Sequence, residues 1–162
     1  NSLDASMNFN NAIIDLNLNS SFTVSYYVAK KMIKKSSGCV ITNISSVTAT
    51  RPTPGSAAYG AAKGGLVNLT KTLAVEWAPR IRVNSIITGY IETENSLVHY
   101  GSKKDMKPVA KSIPMKRMGT PEDIANACIF LSSANSSWIT GTAIEVHGGG
   151  ESPAYLNSAK PK

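Results

Sequence analysis

The stretch Cys39-Val-Ile-Thr-Asn-Ile44 is a mostly apolar, β-branched run that directly follows Gly38. A short run of this kind between turn residues is typical of a strand buried inside a parallel sheet. Residues 81–87 and 143–147 repeat the pattern further along the chain. The sequence therefore predicts three buried strands.

Helical patterns surround these strands. We predict helices over residues 9–35, 56–77 and 120–133. Gly38 ends the first helix and Pro79 ends the second. Thr120-Pro-Glu-Asp123 begins the third with an N-cap threonine, a proline at the first position and an acid at the third. Residues 90–119 are charged and contain glycines and prolines, so we predict a mobile segment with short helices there.

Strands that alternate with helices indicate an α/β fold: a Rossmann-like, doubly wound parallel sheet with helices on both faces. Three strands with flanking helices correspond to the C-terminal half of such a fold. We expect a partial domain over residues 1–150 and a tail over 151–162. Because these sheets bind ligands at the carboxyl ends of their strands, we expect a crevice beside Ser45-Ser46, Thr88-Gly89 and residues 148–150.

The composition is that of an ordinary globular protein, with 42% hydrophobic and 17% charged residues. The sequence lacks the run of about 18 apolar residues that a membrane span needs, and its start lacks the features of a secretory signal, so we expect a cytoplasmic protein. The formal charge of +7 suits a phosphate-rich cofactor. Nucleic-acid binding is not expected, because aromatic residues are not interleaved with the lysines. Cys39 and Cys128 lie in apolar runs and are expected to be buried thiols, and no metal site is expected.

Three side chains can converge where the first strand ends. Ser46 ends the strand, and Tyr59 and Lys63 lie four residues apart on one face of the following helix. A free phenol titrates at about pH 10, and a nearby ammonium favours the ionised form, which can take a proton from an alcohol. None of the three groups accepts a hydride, so an external cofactor must do so. Taken alone, a Tyr-x-x-x-Lys pair is also typical of an exposed helix contact.

Several motifs together resemble the short-chain dehydrogenase/reductase family over about residues 9–150. Asn43-Ile-Ser-Ser46 followed by Tyr59-Gly-Ala-Ala-Lys63 resembles its active-site signature. Asp15-Leu-Asn17-Leu resembles the helix motif that carries its fourth catalytic residue. The other matches, in order, are Arg82-Val-Asn84-Ser-Ile, residues 114–119, Thr120-Pro-Glu-Asp-Ile-Ala, Trp138-Ile-Thr-Gly141 and Val146-His-Gly-Gly.

The resemblance implies an NAD(P)-dependent oxidoreductase that interconverts a secondary alcohol and a ketone by hydride transfer. It implies that Tyr59 is the general acid/base and that Ser46 orients the substrate oxygen. Lys63 would favour ionisation of the tyrosine and hold the ribose of the nicotinamide, and Tyr59 would also contact the cofactor. Asn17 would hold a water that connects Lys63 to solvent.

The resemblance also implies cofactor contacts from Gly89, from the backbone of Ile91 and from the hydroxyl of Thr93. Thr88-Gly89 replaces the Pro-Gly that is usual in the family. The family's Gly-rich phosphate loop and Asn-Asn-Ala-Gly motif, about 90 residues in three βα units, have no counterpart here. We therefore expect this stretch alone to be inactive. NAD and NADP both stay open, because the residues that distinguish them belong to that part.

The substrate stays open between a hydroxysteroid and a 3-oxoacyl thioester. Trp138 and the glycines at 148–150 resemble hydroxysteroid dehydrogenases, whereas the lysines in 103–107 favour an acyl carrier or coenzyme A. Arg51, near the substrate entrance, can meet an acidic group. The resemblance implies a homodimer or homotetramer. The alternative from another class is a non-catalytic, truncated binding or interaction module on the same fold.

Overall fold

A computed structural model describes residues 2–35 and 38–151, and strands alternate with helices as predicted. The strands are Cys39–Ser46 (β1), Ile81–Thr88 (β2) and Ala143–Val146 (β3). The α-helices are Met7–Ile14 (α1), Ser20–Met32 (α2), Ala57–Trp77 (α3), Ser96–Tyr100 (α4), Lys103–Ser112 (α5) and Pro121–Ser132 (α6). Two short 3₁₀ turns are Val47–Ala49 and Ala134–Ser136. Apart from Glu151, the predicted tail over 151–162 lies outside the described residues.

The three strands of the described chain form one parallel sheet in the order β1-β2-β3. In the register of this sheet, Ser46 pairs with Thr88, and Thr88 pairs with Val146. The carboxyl ends of all three strands therefore meet in one row at the same edge, as the predicted crevice requires. The α/β, Rossmann-like prediction is confirmed.

The main hydrophobic core lies between the sheet and the helices α2 and α3. Leu73 and Ala74 of α3 and Ala29 of α2 pack with Ile81 and Val83 of β2, and all five are buried. The buried positions of α3 follow helical spacing, so one face of this helix is fixed against the sheet. This packing therefore fixes the position of the first turn of α3 relative to the end of β1.

The first predicted helix is not uniform. A π-helical turn, Asp15–Asn19, joins α1 to α2, and within it the N–H of Ser20 donates to the Asp15 carbonyl five residues back. The prediction of one regular helix over 9–35 was wrong here. The Asn17 amide donates to the Ile13 carbonyl at 3.0 Å, and the Ser20 hydroxyl donates to the Leu16 carbonyl at 2.5 Å. Side-chain donors of this kind compete with backbone amides for carbonyls and loosen the regular ladder.

Residues 90–119, here called the cover segment, contain the short helices α4 and α5 and a small core of their own. Met106, Ile113 and Met118 are buried in that core. A capping box of Ser102 and Asp105 begins α5. The predicted short helices are present, whereas mobility stays a prediction.

Several smaller expectations can be checked in the structure. The predicted capping of α6 is confirmed, since Thr120 and Asp123 form a capping box with Pro121 inside the first turn. Cys39 and Cys128 are thiols but are half-buried instead of fully buried. Trp138, which belongs to one of the family motifs, is 97% exposed in the single chain. None of the helices in the described ranges has the length and apolar character to cross a membrane.

Candidate active site

A cavity of about 580 Å³ opens at the carboxyl ends of β1 and β2. Ser46 at the end of β1, Tyr59 in the first turn of α3 and Gly89 just after β2 all line it. Phe9 and Ile13 of α1 add an apolar wall. The cavity therefore combines the hydroxyl groups of Ser46 and Tyr59, among others, with a partly apolar surface.

The chain between β1 and α3 folds tightly against the start of α3. A side chain at Gly60 would come within 3.1 Å of the Thr48 carbonyl oxygen, so glycine permits this close approach. The N–H of Thr48 donates to the Ser46 hydroxyl oxygen at 3.3 Å. This contact uses a lone pair of Ser46 and leaves its O–H able to donate to another oxygen.

Lys63 lies between the end of β1 and the Tyr59 ring. Its Nζ donates to the Ile44 carbonyl at 3.0 Å and lies 5.5 Å from the centroid of the Tyr59 ring. Burial lowers the pKa of the Lys63 ammonium. The Ser45 hydroxyl donates to the Lys63 carbonyl at 3.0 Å and ties the helix to the strand. The structure thus brings the predicted serine, tyrosine and lysine to one strand end.

Asn17 lies in the π-helical turn and is half-buried. Its amide bonds within its own helix, to Ile13, which leaves its implied role in a proton relay as a prediction. The turn packs directly on α3, because a side chain at Gly65 would come within 3.0 Å of the Leu18 side chain. Asn17 is therefore held on the element that contacts α3 just beyond Lys63.

Gly89, Ile91 and Thr93, three of the positions implied to bind cofactor, follow β2 but do not share one cavity. A side chain at Gly89 would come within 2.7 Å of the His147 Cβ, so only glycine fits between β2 and the end of β3. Ile91 forms an isolated parallel bridge with Gly119 and lines a neighbouring cavity of about 230 Å³. Thr93 is exposed, and its N–H donates to the Ser96 hydroxyl at 2.7 Å.

A polar cluster beside the cavity was only partly foreseen. Arg51 forms an ion pair with Glu151, and its Nη2 donates to the Tyr90 hydroxyl at 3.2 Å. Burial is the main cause that raises the pKa of Tyr90, and the Arg51 guanidinium lowers the pKa of Glu151. The expected meeting of Arg51 with an acidic group at the substrate entrance stays a prediction, and no spacing in the sequence joins Arg51 to a glutamate one hundred residues later or to Tyr90.

Known proteins match this chain across the whole site. The family model described as enoyl-(acyl carrier protein) reductase matches residues 1–151. The 3-oxoacyl-[acyl-carrier-protein] reductase FabG of Rickettsia prowazekii is 40% identical over 138 residues, which cover 85% of this chain and 56% of that protein. The chain belongs to the short-chain dehydrogenase/reductase family. It spans about half the length of the curated relatives it matches.

Two solved structures resemble this short-chain dehydrogenase/reductase closely. The ligand-free aldohexose dehydrogenase of Thermoplasma acidophilum has a TM-score of 0.84 and 32% identity, covering 98% of this chain and 63% of that one. A 7α-hydroxysteroid dehydrogenase complexed with NADH and 7-oxo glycochenodeoxycholic acid has a TM-score of 0.83 and 32% identity, covering 93% and 58%. The predicted family is therefore confirmed by sequence and by fold.

Proposed function

We propose that the protein is an NAD(P)-dependent oxidoreductase that interconverts a secondary alcohol and a ketone. One observation carries the proposal. Ser46 and Tyr59 line one cavity, while the Lys63 ammonium lies 5.5 Å from the Tyr59 ring. A hydrogen-bond donor, a phenol and a cation are the groups that proton transfer to and from a substrate oxygen requires.

Each of the three side chains has one task in this reaction. Ser46 donates its O–H to the substrate oxygen and holds it beside Tyr59. Tyr59 gives its phenolic proton to the carbonyl oxygen during reduction and takes the hydroxyl proton during oxidation. Lys63 places its ammonium 5.5 Å from the centroid of the Tyr59 ring, so that a positive charge lies beside the phenol during proton transfer. Bound NAD(P) supplies or accepts the hydride at the substrate carbon.

The residues near the site fit a nicotinamide cofactor. Lys63 has three N–H donors and spends one on the Ile44 carbonyl, so two can meet ribose hydroxyl groups. Gly89 presents bare backbone at the cavity wall. Ile91 and Thr93 follow on the same connection, where they would meet the remainder of the nicotinamide half.

The two predicted substrate classes, a hydroxysteroid and a 3-oxoacyl thioester, both remain within this proposal. The relative from Rickettsia is named for a 3-oxoacyl thioester, and a structural neighbour holds an oxo steroid acid. The lysines at 103, 104 and 107 are exposed on α5 and suit an anionic carrier. The apolar wall from Phe9 and Ile13 suits a steroid or an acyl chain.

The decisive test is the variant Tyr59→Phe in the protein at its natural length. We expect the rate of ketone reduction with NADH or NADPH to fall by about 10²- to 10⁴-fold, because the proton donor is removed. Acetoacetyl-N-acetylcysteamine and an oxo steroid serve as substrates, and loss of reduced cofactor absorbance reports the rate. Tyr27→Phe is the matched control, since Tyr27 is 63% exposed on α2. A Tyr59→Phe enzyme as active as this control would favour the non-catalytic module.

A further inference from the structure

The wall of the cavity carries the guanidinium of Arg51, and the acidic partner of that guanidinium, Glu151, is not one of the lining residues. Among the described lining residues there is no aspartate or glutamate. Thr48 and Thr53 lie on the same stretch of chain as Arg51 and also line the cavity. A cavity with a cation and no acid on its wall favours an anionic guest.

The Arg51 guanidinium is held in a defined position. Its Nη2 donates to the Tyr90 hydroxyl at 3.2 Å, and its central carbon lies 5.7 Å from the centroid of the Tyr90 ring. Its side chain is 29% exposed, so it is neither buried out of reach nor free in solvent. A planar guanidinium fixed in this way binds a carboxylate with little further loss of side-chain freedom.

The chain's own Glu151 shows which group this guanidinium binds. The Glu151 carboxylate pairs with Nη1 of Arg51 and also interacts with the Tyr90 hydroxyl. Glu151 is not one of the residues that line the cavity, and its side chain is 34% exposed. The buried Nε of Arg51 meets no acceptor among residues 2–35 and 38–151. The guanidinium therefore already holds a carboxylate at the edge of the cavity, and that carboxylate is partly open to solvent.

We propose that Arg51, with Tyr90, forms a subsite for a carboxylate of the substrate, which displaces Glu151 when it binds. The inference rests on the proposed function and narrows it to ketones and alcohols that carry an acidic group. The substrate oxygen then lies at Ser46 and Tyr59 while the carboxylate lies at Arg51, so that one cavity fixes both ends of the molecule. The proton and hydride steps are unchanged.

The test compares oxo acids with their neutral esters in the protein at its natural length. The probes are acetoacetate and levulinate, each paired with its methyl ester, and the readout is the ratio of kcat/KM for acid over ester. We expect Arg51→Met to lower this ratio by about 10- to 100-fold, as loss of a charge-assisted pair implies. Arg51→Lys should restore only part of it, because an ammonium lacks the planar pair of donors. Glu151→Gln should raise the ratio by lowering KM for the acids, because the competing carboxylate is gone.

A second readout keeps the subsite testable apart from catalysis. Saturating levulinate should raise the Tm of the wild-type protein and of Glu151→Gln, but not that of Arg51→Met. Methyl levulinate should not raise the Tm of any of the three proteins to the same extent. A ratio that stays constant across all three variants would overturn the subsite and leave the proposed function intact. If none of the ketones is reduced while the acid still protects in an Arg51-dependent way, the proposed function fails and the subsite stands.

Discussion

The frame of the site, residues 39–88, and the cover segment, residues 90–119, are held together in different ways. The frame is tied by contacts between distant parts of the chain: the Asn43 amide donates to the Thr70 hydroxyl at 2.9 Å, and the Thr88 hydroxyl donates to the Ser45 carbonyl at 3.0 Å. The cover segment has its own capping box and its own small core, and it meets the rest of the chain through contacts such as the Met115 N–H that donates to the Gly148 carbonyl at 3.2 Å. The proposed proton-transfer residues thus lie on the part with long-range support, whereas Tyr90 and His99 of the cavity wall lie on the cover segment.

The largest effect is expected when the frame loses a core side chain. Leu73 is 3% exposed and packs in the main core, so Leu73→Ala should lower the free energy of unfolding by about 3 kcal/mol. Val75 lies on the same helix and is 82% exposed, and Val75→Ala should change it by less than about 0.5 kcal/mol. Urea denaturation measures both. Equal losses would mean that α3 does not anchor the frame.

A smaller and more local effect is expected in the cover segment. Met106 is 6% exposed in the second core, so Met106→Ala should lower hydrogen-exchange protection in α5 by about 10- to 100-fold. Protection in β2 should stay unchanged, because the two cores are separate clusters. Lys104→Ala, an exposed change on the same helix, is the control. An equal drop in β2 would show that frame and cover unfold as one unit.

The smallest effect is expected at the junction of the cover segment with α6. Arg117 donates to both carboxylate oxygens of Asp123, at 2.6 and 3.0 Å, and these hydrogen bonds are the main cause that lowers the pKa of Asp123. A lowered carboxyl pKa favours the folded state above the ordinary pKa of 3.8, and this contribution is lost as the pH falls through the lowered value. Arg117→Met should therefore raise the pKa of Asp123 toward 3.8 in an NMR titration. Lys116→Met should leave it in place, and an unmoved value in Arg117→Met would assign the shift to the Thr120 cap instead.

Local signals in the sequence predicted most of the frame. The apolar run at 39–44 and the helix over 56–77 agree with β1 and α3 to within about two residues, the usual uncertainty of an element end. The Thr120 cap is likewise a short-range pattern of side chain and backbone. The convergence of Ser46, Tyr59 and Lys63 was predicted from the end of the strand and from the shared face of the helix. Both are set by residues that are close in the sequence.

Features that depend on tertiary contacts were not predictable in this way. The pairing of Arg51 with Glu151 and Tyr90 brings together three parts of the chain that share no motif. The exposure of Trp138 in the single chain is set by the tertiary arrangement, which composition does not specify. Ile91 forms a bridge with Gly119, and both line the separate cavity, a contact that no periodicity encodes.

The π-helical turn lets the joined helices α1 and α2 use two different contact faces. Each residue of an α-helix advances the rod by about 100°, so the extra residue of the turn shifts the phase of everything after it. Before the turn, Phe9 and Ile13 face the substrate cavity, and after it Ser25 and Ala29 are buried. Deleting one residue from Asp15–Asn19 would bring both halves back into phase and turn the buried stripe of α2 away from its present neighbours. The number of residues in this turn therefore decides which side chains of α2 are buried.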